Sequence, residues 1–131
     1  MKRLKPPFRK DRKGGFLMET RDLFVSVSPS RAADLVIDAL TVGSVSGRIV
    51  DQYTRSTGSR EMVVLIMEKY FMRTSNRATL TMIADNFDGD GRTKVRLTGS
   101  GGGSGAFMKF DWGAGASFSG KAEEALAKHR V

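Results

Sequence analysis

The sequence predicts an α+β domain: an antiparallel, curved sheet of about five to six strands with two helices on one face. Three observations predict it. An alternating run near the start gives way at Ser28-Pro29 to a stretch of helical period, Lys121 to Arg130 has helix-forming composition, and between them lie only alternating runs separated by short turns. Consecutive strands joined by short turns pair antiparallel, because parallel pairing needs a long crossover each time. The two helices are the only material available to cover the apolar face of the sheet, so both are expected on the same side.

Each element has a local reason. In Asp22–Ser28, Phe24 and Ser26 alternate with Val25 and Val27, a strand that Pro29 ends. Ser28 is placed to cap a helix with Pro29 at its first position; Ala32, Leu35, Val36, Ala39 and Leu40 share a stripe, and Gly43 stops it. Ser46–Arg55 and Glu61–Arg73 flank a Ser-Thr-Gly-Ser turn and read as a hairpin. Asn76-Arg77 is expected to turn the chain into a strand in which Ala78, Leu80, Met82 and Ala84 alternate with Thr79, Thr81, Ile83 and Asp85. Asp88-Gly89-Asp90-Gly91 turns it again, and Thr93, Val95 and Leu97 then alternate with Lys94, Arg96 and Thr98.

That strand runs into the tract Gly99–Gly105, beyond which Met108, Phe110 and Trp112 alternate with Phe107, Lys109 and Asp111. The tract is read as a wide turn or bulged crossing between strands, where glycine lets backbone approach backbone or a ligand. Ser119 or Gly120 is the expected cap of the last helix. The order is β-α-β-β-β-β-β-α. In layout alone it is similar to TATA-binding-protein-like folds and, more loosely, to helix-grip ligand carriers.

Composition bounds the function. A chain of 131 residues, 40% hydrophobic and 27% charged, is expected to be one soluble domain, and no apolar run reaches the length of a bilayer-crossing helix. With no cysteine there is neither a disulfide nor a thiolate metal site, and cytoplasm is the expected compartment. The net charge of +8 is concentrated: residues 1–17 hold seven basic residues against Asp11, a net +6, which leaves +2 for residues 18–131. Any nucleic-acid reading therefore rests on the leader. Lys13-Gly14-Gly15 can be encoded by a purine-rich ribosome-binding sequence, so translation is expected to start at Met18, with residues 18–131 forming the single domain. Codons without that purine-rich core would contradict this; a disordered basic arm over 1–17 is the alternative.

The motifs carry little chemistry. Gly101 to Ala106 satisfies the G-x-G-x-x-A pattern of dinucleotide binding, but the run after it alternates as a strand where a helix N-terminus is needed. Gly115 to Lys121 spells seven positions of a phosphate loop, with Ala122 where a hydroxyl would hold Mg²⁺. Asn86 to Gly91 mimics the opening of a calcium loop, with Leu97 in place of its closing glutamate, and is read as a turn. The one histidine, His129, lies two residues from the C-terminus. Glu68 shares a strand face with Val64, Ile66, Tyr70 and Met72, so it either pairs with a basic group or has a raised pKa and a task; pairing is the reading preferred. Lys69 and Arg73 fall on the other face with Val63, Leu65, Met67 and Phe71. One of these two faces is expected to stay uncovered.

The segments EKYFMRTSNRATLT (68–81) and GSGGGSGAFMKFDWG (99–113) resemble a family of small bacterial proteins known as a domain of unknown function, over a span from about Met18 to the end. The resemblance implies that both segments are family features, and it brings no activity. The expected function is a non-enzymatic binding domain that holds a small apolar or anionic ligand near Glu68, Tyr70, Arg73, Gly101, Gly102, Gly103 and Trp112. A further anion position is placed at Gly120 and Lys121. No catalytic residue, metal ligand or cofactor is assigned. The alternative is a homodimeric or protein-interaction module using the open sheet face, with nucleic-acid binding through the basic arm behind it.

Overall fold

The structure, a computed structural model, describes residues 17–42, 47–71, 76–101 and 118–131. In chain order the elements are β1 (Leu17–Val25), α1 (Pro29–Thr41), β2 (Arg48–Thr57), β3 (Arg60–Phe71), β4 (Asn76–Asp85), β5 (Thr93–Gly101) and α2 (Phe118–Leu126), with a 3-10 turn over Ala127–His129. The strands form one open, curved antiparallel sheet in the order β1-β5-β4-β3-β2. Both helices pack on the same face of it, against each other and against β3, β4 and β5. The expected strand at Phe107–Trp112 lies outside the described residues.

Burial explains why these segments fold as they do. Along β3, Val63, Leu65 and Met67 point to the helices and are fully buried; Leu80, Met82 and Ala84 of β4 and Val95 and Leu97 of β5 continue that layer. Ala32, Ala33, Val36 and Leu40 of α1 and Phe118, Ala122 and Leu126 of α2 close over it. The small alanines let the helices approach the sheet closely, and removal of this layer from water is the main driving force for the fold. Thr93 is a buried hydroxyl in the same layer, and it is satisfied by donating to the Val27 carbonyl at 2.6 Å.

Several boundaries move for physical reasons. β1 begins at Leu17, earlier than the alternation suggests, because residues 17–21 find backbone partners in residues 97–101 of β5. Asn76 and Arg77 belong to β4 and pair with Phe71 and Tyr70, so these two residues are strand and not the turn expected of them. Gly99 to Gly101 continue β5 in unbroken register with β4 and β1, so this part of the glycine tract is regular strand and not a bulged crossing. In α2, buried Phe118 already lies in the helix, which places Ser119 and Gly120 inside the first turn and leaves neither as the cap. Ser28 caps α1 as expected, accepting from the Arg31 amide at 3.1 Å with Pro29 at the first position.

Gly47 is where the chain passes beneath the C-terminal end of α1. Its amide donates to the Leu40 carbonyl at 2.7 Å, and a Cβ there would lie 2.5 Å from that oxygen and 2.9 Å from the Phe118 ring. Only glycine fits this gap, and the contact sets the entry of β2 and hence the position of Arg48. No helix among the described residues is long and apolar enough to cross a membrane.

Candidate functional site

The face of the sheet turned away from the helices carries the side chains that the fold does not consume. On β3 these are Met62, Val64, Ile66, Glu68 and Tyr70, which alternate with the buried set. Opposite them stand Arg55, Tyr53, Asp51 and Arg48 of β2, and Ile83, Thr81, Thr79 and Arg77 of β4. Met62, Val64, Ile66 and Ile83 are half-buried by their neighbours and form an apolar strip. Basic side chains stand at both ends of it.

At one end, Glu68 is shared by two guanidiniums. Arg48 Nε donates to Glu68 Oε2 at 2.9 Å and its Nη2 reaches the same oxygen, while Arg77 Nη1 approaches both carboxylate oxygens at 3.3 Å. The Arg77 guanidinium also lies 5.6 Å from the centre of the Tyr70 ring. The Glu68 side chain is only 14% exposed, against 72% for Arg48 and 59% for Arg77. The hydrogen bonds from Arg48, with the charge of Arg77 behind them, hold the Glu68 carboxyl below the ordinary carboxylate range. Glu68 therefore pairs with two basic groups, and its carboxyl is lowered, not raised. Beside it Thr79 and Ser100 share a hydroxyl hydrogen bond of 2.7 Å.

A bulge makes this pairing. The hairpin turn at Gly58, with φ of +61°, sets Thr57 opposite Arg60, and an unbroken ladder would bring Ile49 opposite Glu68. The register shifts between Ile49 and Asp51, so Val50 is the extra residue and Arg48 faces Glu68 instead.

The other end is concave. Tyr53, Arg55, Ser56, Thr57, Arg60, Met62 and Phe87 line a hollow of about 280 Å³. Arg60 also lines a second, more polar hollow of about 260 Å³ with Ser28, Ser59, Asn86 and Thr93. Its guanidinium lies over Gly89, where a Cβ would come within 3.0 Å of Nη2, and Nη1 donates to the Phe87 carbonyl. Gly89 has a φ of +74°, so the turn both requires glycine and makes room for the arginine. Arg55 donates to the Tyr53 hydroxyl at 3.3 Å. Among the described residues no carboxylate forms an ion pair with Arg55 or Arg60: of the nearby acids, Glu61 of β3 and Asp90 have partners of their own, and Asp88, in the same turn as Phe87 and Gly89, makes no ion pair with either arginine.

Glu61 closes the α1 N-terminus, accepting from the Ser30 amide at 3.2 Å and from its hydroxyl at 2.6 Å. Asp90 takes the Arg92 amide at 3.0 Å and its guanidinium at 3.1 Å, which holds its carboxyl below the ordinary range. The calcium-like letters thus form a turn between β4 and β5, in which Asp90 is bound to its own chain. Among the described residues no cluster of three histidine, cysteine or acidic side chains could hold a metal ion.

Of the residues expected at the site, Glu68 and Tyr70 lie together on β3, and Gly101 ends β5 opposite Ala78 of β4, two strands away from them. Arg73, Gly102, Gly103 and Trp112 lie outside the described residues. Gly120 and Lys121 sit in α2 on the helix side of the sheet, away from this face. Sequence reasoning missed Arg48, Arg77, Arg60 and Phe87. Counting back from the Gly58 turn brings Ile49 opposite Glu68, which locates the N-terminal end of β2 there but not Arg48, whose pairing needs the bulge; Arg60 and Phe87 meet only through the pairing of β3 with β4.

These features define a small α+β domain with one face closed by helices and the other uncovered among the described residues, apolar along its middle and basic at its ends. Residues 18–130 match the model of the family described as Family of unknown function (DUF6054), and the chain belongs to it. No curated protein matches the sequence. Among solved structures, Ara h 8.0201 is 11% identical with a TM-score of 0.37, over 86% of this chain and 99% of that one. The protein TTHA0849 from Thermus thermophilus is 12% identical with a TM-score of 0.32, over 85% of this chain and 98% of that one. Both likenesses are distant, and neither contributes to the reading of the site.

Proposed function

We propose that the protein is a non-enzymatic binding domain for a small ligand with an apolar body and an anionic group, seated on the open face of the sheet. Arg60 carries this reading: a guanidinium without a carboxylate partner among the described residues stands in the wall of two adjoining hollows. An anion there gains a bidentate partner that the fold has not already neutralised. Met62 supplies the apolar floor, and the rings of Tyr53 and Phe87, 50% and 47% exposed, flank it as walls. At the other end Glu68 already compensates Arg48 and Arg77, which leaves a local net of one positive charge. That end is the second point of attachment for a ligand long enough to follow the strip.

Native mass spectrometry of the protein purified from its own host tests this. The expected result is a copurified small anionic mass that Arg60→Ala loses. Unliganded protein alone, or an adduct retained in full by Arg60→Ala, contradicts it.

A further inference from the structure

The two edges of the sheet are treated differently. Alongside β1 the C-terminus adds hydrogen bonds: the Ser26 amide donates to the His129 carbonyl at 2.8 Å, and the Val131 amide to the Phe24 carbonyl at 3.0 Å. Along the outer edge of β2 no strand pairs among the described residues, and all ten of its residues are exposed. Between Arg48 and Thr57 there is no proline or lysine to discourage pairing, and Ile49, Val50 and Tyr53 are exposed apolar or aromatic side chains.

We propose that a second copy of this chain pairs with β2, antiparallel about a two-fold axis at Tyr53. The charges of the strand select this register. With Tyr53 facing its own copy, Asp51 of each chain stands opposite Arg55 of the other, so one axis creates two opposite-charge pairs and one aromatic pair on the same face. Gln52 then meets Thr54 on the other face, again twice. The bulged residue Val50 falls near the end of the paired stretch, opposite Ser56, where it disturbs the ladder least. A dimer made by one strand edge is smaller than a standard interface, so its dissociation constant is expected at about 10–100 μM. Pairing draws Arg55 toward Asp51 of the other copy and leaves Arg60 as the cation of the hollow; Tyr53 and Arg55 line the hollow as well as the axis, whereas Asp51 does not, so the Asp51 exchange reads the dimer apart from the ligand site.

Sedimentation of the full chain over a concentration series tests it, with charge exchange as the specific probe. The wild-type protein is expected to form a reversible dimer. Asp51→Arg and Arg55→Asp each place like charges opposite one another twice and weaken it about tenfold, and the double variant restores it. These positions are exposed, so circular dichroism is expected to be unchanged. Because the sequence has no cysteine, Tyr53→Cys provides a second readout: mild oxidation is expected to give a disulfide-linked dimer, whereas Thr57→Cys, away from the axis, stays single. A wild-type chain that remains monomeric at about 1 mM, a dimer indifferent to both single exchanges, or failure of the double exchange to restore it would overturn the proposal.

Discussion

The two faces of β3 are built from alternate residues of the same stretch and serve different ends. Val63, Leu65 and Met67 on one side are sealed under α1 and α2, while Val64, Ile66, Glu68 and Tyr70 on the other face have no layer above them among the described residues. A strand hydrophobic on both faces is expected to be buried on both. Here the open side is held by lateral contacts: Thr20 with Thr98 at 3.1 Å, Thr79 with Ser100, Asp22 with Arg96 and Glu68 with its arginines. The covered face holds the buried core, and under the function proposed above the other face, uncovered among the described residues, is the one that meets other molecules.

The contrast can be broken most sharply at adjacent positions. Leu65→Ala is expected to destabilise the protein by about 2–5 kcal/mol, since it empties a fully buried site, while Ile66→Ala is expected to reduce stability by about 1 kcal/mol or less. Urea unfolding of both variants measures the difference; equal losses would mean that the open face is covered. Gly47→Ala comes next, at about 1–3 kcal/mol, because the new methyl group collides with the Leu40 carbonyl and the Phe118 ring. Its melting temperature should fall while ligand uptake by the remaining folded protein persists.

The smallest effect concerns protons. Arg96 donates to both oxygens of Asp22, at 2.8 and 2.9 Å, and lowers the pKa of that carboxyl. A depressed folded-state value means that the stabilisation is present above the ordinary carboxylate range and is lost as the pH falls through the folded value. The Asp22 side chain is 37% exposed, so after solvent screening the pair contributes about 0.5 kcal/mol or less. Asp22→Asn is expected to flatten the acid limb of a melting-temperature profile by that amount, leaving the shape of the profile above neutral pH unchanged.

Much of the fold is legible because local signals and burial agree. Ser28-Pro29 and the alanine-rich stripe of α1 follow from capping and helical period, and β3 to β5 follow from alternation and turn glycines. Ala33 and Phe118 give no such signal, because which flank of a helix is sealed depends on its neighbour: α1 and α2 pack against each other as well as on the sheet. The site is less legible. Glu68 stands out as a carboxylate among apolar residues, but its partner Arg48 reaches it only through the bulge at Val50, which alternation cannot show. The hollow at Arg60 depends on two turns meeting, where Asn86 accepts from the Glu61 amide at 2.7 Å and donates to the Ser59 carbonyl at 3.1 Å. Such non-local contacts leave no pattern along the chain.

The claim that the open face binds while the covered face stabilises is tested most directly by amide chemical-shift mapping during titration with an anilinonaphthalene sulfonate dye, an apolar body with one anionic group. The expected result is saturable binding with shifts at Tyr53, Arg60, Met62 and Phe87, weakened about tenfold by Arg60→Ala in a protein of unchanged stability. Shifts confined to α1 and α2, or binding that Arg60→Ala leaves intact, would contradict it.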